Sequence, residues 1–253
     1  MARVNEKKLL KKRSNKMLDF FFKVYSKSVI VALVLLGIAI GATYLVMDKE
    51  LVTLHYILGS VSAFFFVIFL LSILRLFNNK LSYDDVEAMM AIDRNVAYNG
   101  LFQNLAIKNQ KSEYVAEPIE ITTPEVYPGR KTIVYRYAKK RSRVYYSQTG
   151  YTWLFFGEER LFYYHASINH IYGFVGYEVA SEVEYKNIVH VKTESTYSRG
   201  AECITMTLSL VNGETIKINL RTRPTKMYES SHALTELEEK VLTSIRKVIR
   251  DNK

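Results

Sequence analysis

Cysteine is almost missing from this chain. Cys203 is the only one in 253 residues, which excludes an intrachain disulfide and any metal site built from several thiolates. Phosphate-binding signatures are missing too. There is no Gly-x-Gly-x-x-Gly run and no Gly-Lys-Ser/Thr loop. Gly173 and Gly176 frame Phe174-Val175, which fits a strand bend better than a phosphate cradle. His165 and His170 lie five residues apart in a strand-like stretch, so a regular strand puts them on opposite faces. No cysteine or aspartate stands near them in sequence. Glu158 and Glu159 are adjacent acids at a turn. The expectation is a protein without catalytic residues, metal or cofactor.

Charge is absent from two long stretches. Residues 29–47 and 56–74 contain no Asp, Glu, Lys or Arg. At about 1.5 Å per helical residue each spans roughly 28 Å, close to a bilayer core of about 30 Å. A signal peptide has a shorter apolar stretch and a small-residue cleavage site, and here a second run follows at once. The remaining alternative is a pair of buried core helices. The reading is a transmembrane helical hairpin over 28–77. Arg3, Lys7, Lys8, Lys11, Lys12, Arg13, Lys16, Lys23 and Lys27 precede it, and Arg75 and Lys80 follow it. The positive-inside rule places both ends in the cytoplasm. Inside the runs, Gly37, Gly41 and Gly59 are expected to let helices approach closely. They would do so against the chain's own second span or in a homo-oligomer.

The positive balance is ten charges, 35 Lys and Arg against 25 Asp and Glu. It gathers in the basic segment 1–27 and between Arg130 and Arg143. Beside a membrane anchor, an anionic leaflet is a simpler partner for it than nucleic acid. Segment 1–27 is either an amphipathic helix on the leaflet or a tail that only sets topology.

Residues 78–130 read as a helical connector and linker. Ser82 can cap a helix whose first turn holds Asp84, Asp85 and Glu87. Asn99-Gly100 suggests a stop or a kink, with a short helix from Leu101 to Lys108 after it. Pro118, Pro124 and Pro128 mark an irregular stretch. From 131 onward strands dominate. Apolar β-rich runs flank Gly157–Arg160. Ile204, Met206, Leu208 and Leu210 alternate with polar residues up to Asn212-Gly213, then Ile216, Ile218 and Leu220 alternate again, the pattern of a hairpin with one packed face. The chain ends in an amphipathic helix with Leu234, Leu237, Val241, Ile245 and Val248 in a stripe. The fold class is α+β, a two-helix hairpin followed by a mainly antiparallel β domain.

Within 151–250, Gly157-Glu158-Glu159-Arg160-Leu161-Phe162-Tyr163-Tyr164 looks like a first hairpin. Val183-Glu184-Tyr185-Lys186-Asn187-Ile188-Val189-His190-Val191 looks like a central strand pair, and Asn212-Gly213-Glu214 like a final hairpin turn. In this order, with the C-terminal helix, domain 131–253 resembles the bacterial pleckstrin-homology-like (PH-like) domains. The resemblance implies a binding or scaffolding module, usually without catalysis. It also implies that basic residues in an early hairpin can hold lipid headgroups. Lys139, Lys140, Arg141 and Arg143 form such a cluster, beside Tyr135, Tyr137, Tyr145, Tyr146 and Tyr151. Its open readings are a solvated turn, an anionic-lipid site and a contact for an acidic protein partner. The expected role is a membrane-anchored scaffold or adaptor, with an anionic-lipid sensor as the alternative and an enzyme without a visible motif as the third.

Overall fold

A computed structural model describes residues 2–46, 52–78, 81–104, 118–126, 129–130, 133–138, 143–198, 201–224 and 234–251. The chain divides into two compact units, Met1–Val86 and Glu87–Lys253.

In the first unit, α1 (Ala2–Phe22) is followed by α2 (Val24–Val46) and α3 (Val52–Asn78). Lys23 separates α1 from α2 in the left-handed region, at φ 53°, and its N–H returns to the carbonyl of Asp19 at 2.8 Å. A helix commonly ends on such a residue. The last turns of α1 do not lie open to a leaflet. Met17, Phe20 and Phe21 are buried, and Phe20 meets Tyr83 edge-on at 5.7 Å.

Both α2 and α3 are long and apolar enough to cross a membrane, over Lys27–Tyr44 and Tyr56–Leu74. Only 17% of the first stretch and none of the second is buried, whereas helices of a soluble core would be mostly covered. The two helices touch along a seam that includes Ala32, Leu36 and Ala39. At its end the Thr43 hydroxyl meets that of Ser62 at 3.1 Å. Small residues and a shared hydroxyl pair hold apolar helices together where hydrophobicity cannot. Gly37, Gly41 and Gly59 are not in that seam. A Cβ added at any of them meets nothing within 4 Å, so the expected packing of these glycines against the other span is replaced by the alanine stripe.

Helix α4 (Tyr83–Asn104) runs through Asn99-Gly100 without the expected stop. Its start is a reciprocal cap. The Asp85 N–H donates to Ser82 Oγ at 3.1 Å, and Ser82 N–H donates back to Asp85 Oδ2 at 3.2 Å. The Ser82 hydroxyl, donating to Asp85 Oδ2 at 2.7 Å, and the Ser82 N–H hold the Asp85 carboxyl below its ordinary range.

The second unit is built on two antiparallel sheets. The first has the order β1 (Ile119–Pro124), β4 (Gln148–Phe156), β5 (Arg160–Asn169), β6 (Phe174–Glu184). The second is β7 (Ile188–Ser198), β8 (Ala201–Leu210), β9 (Thr215–Pro224). A two-stranded ribbon, β2 (Tyr135–Ala138) with β3 (Arg143–Tyr146), is inserted between β1 and β4. The sheet therefore begins earlier than residue 131. β1 lies in the stretch expected to be linker, with Ile119 and Ile121 buried and paired to β4.

One face of the first sheet packs on the second sheet and on α5 (Glu236–Asp251). Leu154, Phe156, Leu161, Ile204, Met206, Leu208, Val241 and Ile245 share this core. The other face receives α4. Ala97 and Leu101 join Trp153, Phe155, Phe162, Tyr164 and Ile168 in a second core. Covering both faces explains why β4 is buried at every position and reads as a continuous apolar run. Gly100 sits close to the sheet there, since a Cβ would lie 3.1 Å from Tyr164 Oη and 3.2 Å from Glu178 Oε1. Polar contacts fix the same helix. Asp93 Oδ2 meets buried His170 Nδ1 at 2.8 Å. Arg94 Nε donates to Glu120 Oε1 at 2.7 Å, and Trp153 Nε1 donates to Glu120 Oε2 at 3.0 Å.

Just before α5, Leu234 packs against the core, but Leu237 inside it is 42% exposed and does not belong to the docking stripe. Leu242 and Ile249 take its place. Thr235 and Glu238 cap the helix reciprocally, and the buried Glu238 carboxylate lies 3.2 Å from Arg221 Nε.

Candidate functional site

Of the four cations proposed for binding, Lys139, Lys140 and Arg141 lie outside the described residues. The last described pair of the β2–β3 ribbon is Ala138 with Arg143. Arg143 is described, and it is engaged within its own unit. Its Nη1 lies 3.2 Å from Glu87 Oε1 on α4, and its guanidinium sits 6.0 Å from the Tyr145 ring centroid. The Tyr145 hydroxyl donates to the same carboxylate.

A larger feature lies beside β6, where the β8–β9 hairpin comes next to it. β6 ends the first sheet and β9 ends the second, and among the described residues no strand pairs with their outer sides. A groove of about 1050 Å³ runs beside β6, lined by Ser181–Glu184 of that strand and by Leu210–Ile216 of the β8–β9 hairpin. Ser181, Thr215 and Ile216 also line a second hollow of about 440 Å³, which reaches Tyr163, His165, Tyr177 and Glu125. Through these shared residues the two form one cleft beside β6.

The hairpin that closes one wall is the Asn-Gly turn read in the sequence. Gly213 has φ +85°, and the Glu214 N–H donates to Asn212 Oδ1 at 3.0 Å. The other wall bends at Gly176. Ser167 faces Tyr177 while Ile168 faces Val175, so Gly176 is the extra residue of a bulge.

The inner end of the cleft is polar. Glu125 Oε1 lies 3.2 Å from His165 Nε2, and Thr152 Oγ1 lies 2.9 Å from His165 Nδ1. Ser167 Oγ donates to Glu125 Oε2, and Gln148 Nε2 donates to Ser167 Oγ at 2.7 Å. Gly150 makes room for this set. A Cβ there would stand 2.4 Å from Glu125 Oε1 and 2.8 Å from His165 Cε1. Burial pushes the Glu125 carboxyl up, but the hydrogen bonds from His165 and Ser167 outweigh it and hold the group below its ordinary range. Burial raises the neighbouring Tyr163 hydroxyl to about 12, so it stays protonated.

Hydroxyl, imidazole and carboxylate stand in line, as in a nucleophile relay. Thr152 cannot serve as one. It is 1% exposed, inside β4, and a substrate has no approach to it. Ser167 bonds the carboxylate and not the imidazole. The network pins strand ends together. His165 and His170 do fall on opposite faces, the first on this network and the second on α4. Glu158 and Glu159 are exposed at the β4–β5 turn. Sequence reasoning missed Glu125, which it had placed in a linker, and Gly150, which carries no local signal.

No family model, no curated protein and no solved structure matches this chain.

Proposed function

We propose that this chain is a membrane-anchored, non-enzymatic scaffold or adaptor that presents a PH-like domain to protein partners at the inner leaflet. The observation that carries the reading is the cleft between the open edge of β6 and the β8–β9 hairpin. Glu182, Glu184 and Glu214 line its outer part beside Arg160, and Lys217 lines the inner part. An acidic, elongated groove with an open strand edge along one side suits a polypeptide and repels anionic headgroups. The order of four meandering strands, three meandering strands and a helix supports the PH-like assignment, with β2–β3 as an insertion after the first strand. The outward apolar surfaces of α2 and α3 support a hairpin in the bilayer. The charges around it support a cytoplasmic placement of both ends.

Crosslinking in native membranes followed by purification of the full chain tests the proposal. A protein recovered in near-stoichiometric amount supports it. Binding of the full chain to anionic vesicles, abolished by reversing Lys139, Lys140, Arg141 and Arg143, with no protein recovered, would favour the lipid sensor instead.

A further inference from the structure

We infer that the β6–β9 cleft accepts an extended segment that alternates basic and apolar residues and adds as a strand to the free edge of β6. This rests on the scaffold reading and specifies how the partner is bound.

β6 is an edge strand of 11 residues. Natural edges are usually blunted by lysine, proline, shortness or a bulge; β6 has no lysine or proline, and its one bulge, at Gly176, leaves Tyr177–Glu184 in regular register. Its charges are all acidic, at Glu178, Glu182 and Glu184. These three stand opposite Ala166, Phe162 and Arg160 of β5, so they share one face of the sheet. Val179 and Ser181 alternate with them and line the cleft. An incoming strand would meet acids on one face, and Val179 together with Ile216 on the other. Opposite charges across a strand pair stabilise it, and like charges destabilise it. Lysine or arginine at every second position with apolar residues between them matches both faces. Glu214 adds an acid from the opposite wall. Glu182 is paired with Arg160, and Glu184 with Lys186 at 3.1 Å. Exposed pairs of this kind are worth little and exchange for a better-placed cation. Backbone bonds along the edge would supply affinity, and the alternating side chains would supply selectivity.

The test uses the full chain in nanodiscs of neutral phosphatidylcholine. The probes are a ten-residue peptide alternating lysine and valine, and the same peptide N-methylated at every second residue. The methylated form keeps the charges and loses the backbone donors of one edge. Binding is read by fluorescence anisotropy and by amide exchange across residues 174–184. The expected result is binding of the first peptide with slowed exchange in β6, at least tenfold weaker binding of the methylated one, and steep weakening by salt. Thr215→Trp fills the cleft at an exposed position, and Glu182→Lys with Glu214→Lys reverses its charge. Each should weaken binding about tenfold while the melt followed by circular dichroism stays unchanged. Equal binding of the methylated peptide, or no protection in 174–184, overturns the inference and leaves the acids as guards of a bare edge. A native partner recovered equally well with Thr215→Trp also overturns it, while leaving the scaffold intact. Peptide protection in β6 with no protein partner in native membranes upholds the cleft and removes the scaffold.

Discussion

Replacing Gly150 by alanine tests whether the Glu125–His165 contact holds the two sheet ends together. Alanine has the better strand conformation, and on backbone grounds it should gain roughly 0.5–1 kcal/mol over glycine. Packing opposes this. The new Cβ would stand 2.4 Å from Glu125 Oε1 and 2.8 Å from His165 Cε1, so the carboxylate must leave His165 and Ser167 or the ring must turn. Overpacking of this kind costs about 1–3 kcal/mol. The net expectation is a loss of about 1–2 kcal/mol, or a fall in Tm of roughly 2–8 °C for a unit of this size. Trp153 is the chain's single tryptophan and is buried in β4, so its fluorescence follows this unit alone in the full-length protein. The pH dependence supplies a sign. The Glu125 carboxyl is held below its ordinary value of 4.5. The stability it contributes is therefore complete above that value and is lost as pH falls through the lowered one. The gap between wild type and Gly150→Ala should be widest near neutrality and should narrow in acid. An unchanged or higher Tm at pH 7, or a gap indifferent to pH, would refute the reasoning.

Glu238→Ala leaves Arg221 buried without its carboxylate and removes half of the α5 cap, so it should cost about 3–5 kcal/mol in a denaturant titration. Ile245→Asp buries a charge in the core and should lower stability by several kcal/mol, whereas Leu237→Asp, at an exposed site, should change it by less than about 1 kcal/mol; equal effects would contradict the docking of α5. Reporters placed at residues 50 and 253 should report opposite sides of the membrane, and a C-terminus outside the cytoplasm would overturn the assignment of the leaflet.

The strands that alternate were the legible part of the fold. Ile204 to Leu210, the Asn212-Gly213 turn and Ile216 to Leu220 pair as their pattern says, because a strand with one wet face shows its period directly. The boundaries of the domain were not legible. Ile119-Glu120-Ile121 has the alternation of a strand, but prolines at 118 and 124 and the acids between them look like a linker. Helix α4 offers Ala97, Tyr98 and Leu101 to the sheet, too short an apolar stripe to mark it as a docked layer. Leu237 misled through its spacing. The helix turns so that Glu238, held by Arg221 and Thr235, faces inward beside it. The cleft was out of reach, since it arises from a strand edge and a hairpin far apart in sequence, and Glu125 and Gly150 acquire their meaning only when β1, β4 and β5 lie side by side.

The most direct test of the scaffold reading is the stoichiometry of protein crosslinked to the full chain through a photoreactive residue at position 215, measured in native membranes. The account predicts one discrete protein adduct in near-stoichiometric yield, competed away by the alternating lysine–valine peptide. Adducts to lipid alone, or a set of proteins in trace amounts that the peptide does not displace, would contradict it.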